Sequence, residues 1–495
     1  MYAMIQKQNL ALSAYSDLYD IVVPADHVLR RVDRLVDFDE LAKASEATYR
    51  ADNGRPGYAP AMMYRMLFLK RHYDLSDRGL CERARTDLAM KLFLGLTPEA
   101  EVPDPSSLSR FRKSRMGDGE LGRMIAASLK AASRAGVEMT GTEVVDSTHT
   151  EAHYNAKSAR ERVLGLAERA RRAARAVSPG DCEGMPARPH EAKVSNYEAA
   201  LGHCDELVAF IKGKPALMAS PAVSEAVELL KETASDVREG QLGPTSADPD
   251  AAVGHKTADT AYFGYKTHTM MDRNGIITAA VVTSGEKPDA KQVSALVEMA
   301  ESLGVEVGAI VGDGAYSESD LIEYAEGRDI KLVSRLKANI VNPRHARNGL
   351  EFTYNKDAGR FVCPAGHMAV GMSRARLGGE GAKAEYEIHR FDVAKCAICP
   401  LREKCGYRGG ASRTYSHKVA MAPVHERHQK RQETEEYREL ASVRYSIEAK
   451  NGQMKNSHGF RELCYSGLRG MSIQAGMTIL VVNLKRVLCL TGNKG

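Results

Sequence analysis

Between residues 143 and 335 the chain changes from a helical hydrophobic rhythm to short β-branched runs separated by helical segments, and that order admits few folds. Residues 143–147, 262–271, 276–284, 307–312 and 331–335 read as strands. The second and third are joined by Asp272-Arg273-Asn274-Gly275, whose Asn-Gly pair suits the positive-φ positions of a tight hairpin. Helical patterns fit residues 289–303 and 317–326. The order strand, hairpin, helix, strand, helix, strand predicts an α/β protein with a mixed sheet and flanking helices. Two long insertions interrupt it.

At 495 residues the chain is too long for one core, so two to four domains are expected. Residues 1–136 read as an all-helical domain. Met62, Met63, Met66, Leu67, Leu69 and Tyr73 follow Pro60 near the 3.6 period, which predicts an amphipathic helix with one buried face. A second helix is expected from Ser76 to Leu94, and Asp104-Pro105-Ser106-Ser107 caps a third that carries Arg110, Arg112, Lys113 and Arg115. A basic helix ending a helical domain suits DNA binding, with Arg110, Arg112 and Lys113 on the phosphates. A bundle with a solvated basic face gives the same pattern. Beyond it, residues 137–154 open the sheet domain, 155–250 form an Arg-rich helical insertion, 251–339 continue the sheet, 340–425 hold a cysteine-bearing insertion, and 426–495 close the core with helices.

The net charge of +5 is too small to announce a polyanion partner by itself. No signal-type segment opens the sequence, and the strongest apolar run, residues 475–482, is too short to span a bilayer. A cytoplasmic protein with no membrane partner is expected.

Chemistry points to three acids. The runs Val144-Val145-Asp146-Ser147 and Ile310-Val311-Gly312-Asp313-Gly314 each end on an Asp, where a sheet edge presents a side chain to solvent or a site. Gly312 and Gly314 leave room around Asp313. Taken alone, either Asp is equally a turn or cap residue. Arg444, Glu448 and Lys455 are four and seven residues apart and share one helical stripe. A surface i, i+4 pair would look the same. Yet Ile447 and Met454 flank the stripe, and Ile473, Met477, Leu480, Val481 and Leu484 follow as an apolar helix expected to pack on the sheet. Should Asp146, Asp313 and Glu448 converge, they would form an oxygen-ligand cage for two Mg²⁺ or Mn²⁺ ions about 4 Å apart, with Arg444 and Lys455 on DNA phosphates.

The succession of Val-Val-Asp-Ser, Val-Gly-Asp-Gly-Ala-Tyr and Arg-x3-Glu-x6-Lys behind a helical domain resembles bacterial insertion-sequence transposases of the DDE class. Asp248-Pro249-Asp250-Ala251, Gly264-Tyr265-Lys266-Thr267-His268 and the segment from Pro105 to Arg112 extend the resemblance to residues 30–490. It implies an RNase H-like catalytic core in which Asp146, Asp313 and Glu448 coordinate divalent metal. It further implies cleavage of double-stranded DNA at element ends, joining of 3′-hydroxyls to target DNA, a homodimer on DNA and association with the nucleoid. The family pattern places a Tyr three residues before the Arg; here that position is Ala441. A catalytically inactive DNA-binding regulator and a metal-dependent nuclease that never joins ends are the competing readings.

Of nine cysteines, Cys363, Cys396, Cys399 and Cys405 cluster in the second insertion, beside His367. A Cys-x2-Cys pair with two further thiols is a donor set for structural Zn²⁺, and unmetallated cysteines are the alternative. His149, His153 and His268 lie near the acids in sequence, where local hydrogen bonding explains them as readily as substrate contact.

Overall fold

The computed structural model describes residues 13–49, 57–152, 156–157, 159–187, 197–239, 245–246, 248, 250–255, 261–337, 352–355, 358–377, 384–405, 407, 409–420 and 422–492. His153 and residues 243, 244, 247 and 249 of the linker lie outside them.

The N-terminal region is helical: α1 (Leu18–Val22), α2 (Val28–Leu35), α3 (Phe38–Glu46), α4 (Pro60–His72), α5 (Asp77–Thr86), α6 (Leu88–Leu94), α7 (Pro105–Ser114) and α8 (Glu120–Arg134). Pro60 opens α4, where its missing N–H costs nothing. Two expectations need correction. Helix α4 is buried on every side from Pro60 to Arg71, not along one face, because the other helices surround it and its cations find internal partners. The helix expected over 76–94 is two: Asp87 takes extended backbone and caps α6 by accepting from Met90 N at 3.0 Å.

Strand β1 (Thr142–Glu151) then enters the sheet. The helical insertion supplies α9 (Ala159–Val177), α10 (Tyr197–Lys212) and α11 (Pro221–Arg238), which enclose their own core of Val163, Leu207, Ile211, Val227 and Leu230. In the Arg-rich α9, Arg171 is buried on Glu168 at 2.7 Å, so it serves that core. The sheet resumes with β2 (Ala252–His255), β3 (Ala261–Asp272), β4 (Ile277–Ser284), α12 (Val293–Ser302), β5 (Ala309–Val311), α13 (Ser319–Gly327) and β6 (Lys331–Val333). The hairpin expected between β3 and β4 is present, with Gly275 at φ 82° and Asn274 at negative φ.

The sheet order is β2-β3-β1-β5-β6, with β4 also on β3. Strand β3 is antiparallel to β1, whereas β5 and β6 continue parallel. With helices on its faces this is an RNase H-like mixed α/β core. The cysteine insertion contributes a separate antiparallel sheet, β7 (Gly371–Leu377), β8 (Ala384–Phe391) and β9 (Arg413–Ala420). Helices α14 (Pro423–Gln432), α15 (Glu435–Ala441), α16 (Tyr445–Ser457) and α17 (Gly467–Gly492) complete the molecule.

The apolar run at 475–482 lies inside α17, a 26-residue helix long and apolar enough to cross a membrane, yet 78% of its most apolar window is buried in protein. Its stripe of Ile473, Met477, Leu480, Val481 and Leu484 packs on the N-terminal helices and not on the sheet. A second stripe, Met471, Ala475, Ile479 and Val482, covers the sheet.

Candidate active site

The site begins with unequal strand lengths. Parallel β1 and β5 are in register at Val144 and Val311, where β5 stops. Strand β1 does not stop there: antiparallel β3 escorts it to Glu151. Asp146 is therefore a mid-strand residue opposite Thr269, not a strand-terminal one, and it emerges at the edge that β5 vacates. Asp313 follows the end of β5 by two residues and accepts from Ala315 N at 2.8 Å, capping a short turn over Gly314–Tyr316. Gly312 is needed there, since a Cβ would lie 2.5 Å from the Tyr316 ring and 3.1 Å from Val145.

Burial pushes the Asp146 carboxyl up to about 6; the Ser147 N–H opposes this, and the negative charges of Asp313 and Asp289 add to it. The set gathers negative charge around the half-buried Asp146. Its hard oxygen donors fit a divalent cation.

The stripe on α16 points at this edge. Asn451, three residues after Glu448, donates from Nδ2 to Asp146 Oδ2 at 2.9 Å. Lys455, one turn further, places Nζ 3.3 Å from the His149 ring. Glu448 lies on the same face one turn before Asn451. Its carboxylate, more than half exposed, turns instead to Arg444 at 3.2 Å. The structure thus brings Asp146 and Asp313 to one edge and α16 onto Asp146. Among the described residues no group of three His, Cys, Asp or Glu side chains is set to hold an ion.

Asp289 went unrecognised in the sequence, where Pro288-Asp289 reads as a helix start. Buried His268 approaches it at 3.3 Å and Lys266 at 3.1 Å. Burial opposes its ionisation, but the hydrogen bond from His268 and the Lys266 ammonium hold its carboxyl down at about 2. His268 also meets Thr283 Oγ1 at 3.0 Å, and the His149 ring packs on Tyr262. Asn451 was likewise missed, though it completes the spacing 444, 448, 451, 455.

Of the basic residues on α7, Arg110 and Lys113 are exposed. Arg112 is not: its guanidinium is buried on Asp77, 3.2 Å from Nη1, and over the Tyr465 ring at 4.2 Å, so its charge is spent inside the protein. Asp248 and Asp250 have a structural role. Asp248 accepts from Tyr265 Oη at 2.6 Å and Gly467 N at 3.0 Å, and Asp250 from Leu468 N at 3.1 Å, where α17 starts.

Cys363, Cys396, Cys399 and Cys405 line one small cavity with His367. All four are free thiols, and Arg413 Nη2 donates to Cys405 Sγ at 2.9 Å. Among the described residues the four thiols are not set to hold an ion.

Three family models match the chain. One described as "Transposase domain (DUF772)" covers residues 17–114. Two described as "Transposase DDE domain" cover residues 249–349 and 362–488, and contain Asp313 and Glu448 respectively.

Proposed function

The chain belongs to the DDE transposases of insertion sequences, and from that membership we propose that it cuts DNA at the ends of its element and joins the freed 3′-hydroxyls to target DNA. The observation that carries this reading is the meeting of Asp146 and Asp313 at one sheet edge, with α16 tied to Asp146 through Asn451. Asp146, Asp313 and Glu448 would hold the divalent ions. When bound, such ions activate the attacking oxygen and stabilise the leaving one at phosphorus. Glu448 has only to leave its surface pair with Arg444, which costs little because exposed pairs contribute at most about 1 kcal/mol. Arg444 is then released toward a phosphate, for which its planar fork is suited. Lys455 and His149 flank the same edge, and exposed Arg110 and Lys113 extend cationic surface to duplex DNA.

The test uses DNA flanking the protein's own gene, with Mg²⁺, comparing wild type with Glu448→Ala. Wild type is expected to produce cut and joined ends, and the variant to lose at least about 10²-fold in cleavage while binding the same DNA within about twofold. Equal cleavage by both proteins would sink the assignment. Cut ends that never join would leave the nuclease reading, and binding without cleavage by wild type the regulator.

A further inference from the structure

Asn451 is a neutral amide in the middle of a charged stripe on α16, between Glu448 and Lys455. Yet it is Asn451 that reaches Asp146, from 305 residues further along the chain. We propose that Asn451 is a positioning residue for the divalent ion: its Nδ2 holds the Asp146 carboxylate in one orientation, and its Oδ1 accepts a hydrogen bond from a water that the ion keeps. The proposal rests on the transposase reading and adds to it a residue outside the three acids.

One half of the amide is already engaged. Nδ2 lies 2.9 Å from Asp146 Oδ2, and it is the amide nitrogen that faces the acid, because two acceptor oxygens would repel. With the Ser147 N–H also on that carboxylate, its plane is fixed before any ion arrives. Carboxylates that bind metals are held by such partners as a rule. The other half is unfinished. Asn451 is only 9% exposed, and its Oδ1 is buried with no hydrogen-bond donor among the described residues. An acceptor left in that state costs about 1–3 kcal/mol, and in a folded protein it points to a water or ion that belongs beside it. Mg²⁺ keeps several waters when carboxylates bind it, and each of them can donate. A hydrated ion at Asp146 supplies the donor that Oδ1 lacks.

The residue type fits this task. A carboxylate at 451 would set a like charge against Asp146 and offer it no proton. A lysine or arginine would neutralise Asp146 and repel the ion. An amide donates without charge, so it orients the acid and leaves the attraction for a cation intact. Ile447, Lys450 and Met454, around Asn451 on α16, are all buried, which anchors the helix that carries it.

Two readouts test the idea, one of them independent of catalysis. Mg²⁺ would be added stepwise to wild type, Asn451→Leu and Asn451→Ser, following the rise in melting temperature of the full chain and, with element-end DNA, the rate of cleavage. Both variants are expected to need at least about tenfold more Mg²⁺ to reach the half-way point, since losing the support of a metal ligand costs about 10–100-fold in metal affinity. Their affinity for DNA should stay within about twofold of wild type. A residue that merely ties α16 to β1 would behave differently: its loss would lower the melting temperature in chelator and leave the Mg²⁺ midpoint where it was. That result overturns the proposal. Ser is small and polar, so Asn451→Ser reports even if the Leu variant folds poorly. If wild type neither cuts element ends nor responds to Mg²⁺, the transposase reading falls and takes the role of Asn451 with it. Cleavage by wild type, with both variants at its Mg²⁺ midpoint, removes the role of Asn451 alone.

Discussion

Asp146 carries a cost that the fold does not offset from within. Its folded carboxyl titrates near 6, against about 3.9 in an unfolded chain. A raised acid stabilises fully below the unfolded value, and that contribution is lost as pH rises from about 4 through about 6. At neutral pH the ionised group is therefore a burden on the metal-free protein. Asp146→Asn should stabilise that form by about 3 kcal/mol at pH 8 and by less than about 1 kcal/mol at pH 4. The substituted amide oxygen can still accept from Asn451. Thermal melts in chelator at the two pH values measure the difference, and added Mg²⁺ should narrow it by binding wild type. A variant less stable than wild type at pH 8 would mean that the charge is already compensated. The sequence showed which acids to examine, because Gly312 and Gly314 mark Asp313 and the 444, 448, 455 spacing marks Glu448. It hid that Asp146 sits half-buried in mid-strand, since that depends on β3 outrunning β5. It also hid that Arg112 is internal, because an Arg destined for Asp77 and one destined for a phosphate look alike in a basic helix.

At the scale of elements, Asp77 joins three helices. From the first turn of α5 it accepts from Lys70 Nζ on α4 at 2.7 Å and from Arg112 on α7. Burial would raise its carboxyl, but Arg112 and Lys70 outweigh burial and hold it below the usual range. Both cations are themselves buried. Removing the acid leaves two desolvated charges facing each other, so Asp77→Ala should cost about 3 kcal/mol in denaturant unfolding. A loss under about 1 kcal/mol would mean that water reaches the cations. Capping patterns made α4, α5 and α7 legible, since Pro60, Ser76 and Asp104 stand where helices begin. The division at Asp87 was less so, because the apolar rhythm runs on through it. The partners of Asp248 and Asp250 were unreadable for a different reason: Gly467 and Leu468 are more than two hundred residues away, and only the folded chain brings them together.

Across the whole molecule, α17 makes one body of the helical region and the sheet. An all-round apolar helix belongs in an interior, and here each stripe has its own core. Ile473, Met477, Leu480, Leu484 and Leu488 fill the helical one, and Met471, Ala475, Ile479 and Val482 the other. Asn483 fastens the crossing, donating to Ser128 Oγ on α8 at 2.9 Å and exchanging bonds at 2.8 Å with both backbone groups of Ile277 on β4. At Gly476 the helices α8 and α17 come so close that a Cβ would lie 2.6 Å from Met124 Sδ and 3.1 Å from the Leu121 Cα. A larger side chain there must push the helices apart, and overpacking of this kind costs about 1–3 kcal/mol. Gly476→Leu should therefore lower the denaturant midpoint of α4 and of β1 together, by the same amount, in hydrogen exchange followed by mass spectrometry. The insertion helices α9 to α11, closed around their own core, should keep their midpoint. If α4 retains its protection while β1 loses it, the helical region folds without α17, and the helical and sheet-bearing parts are separate folding units.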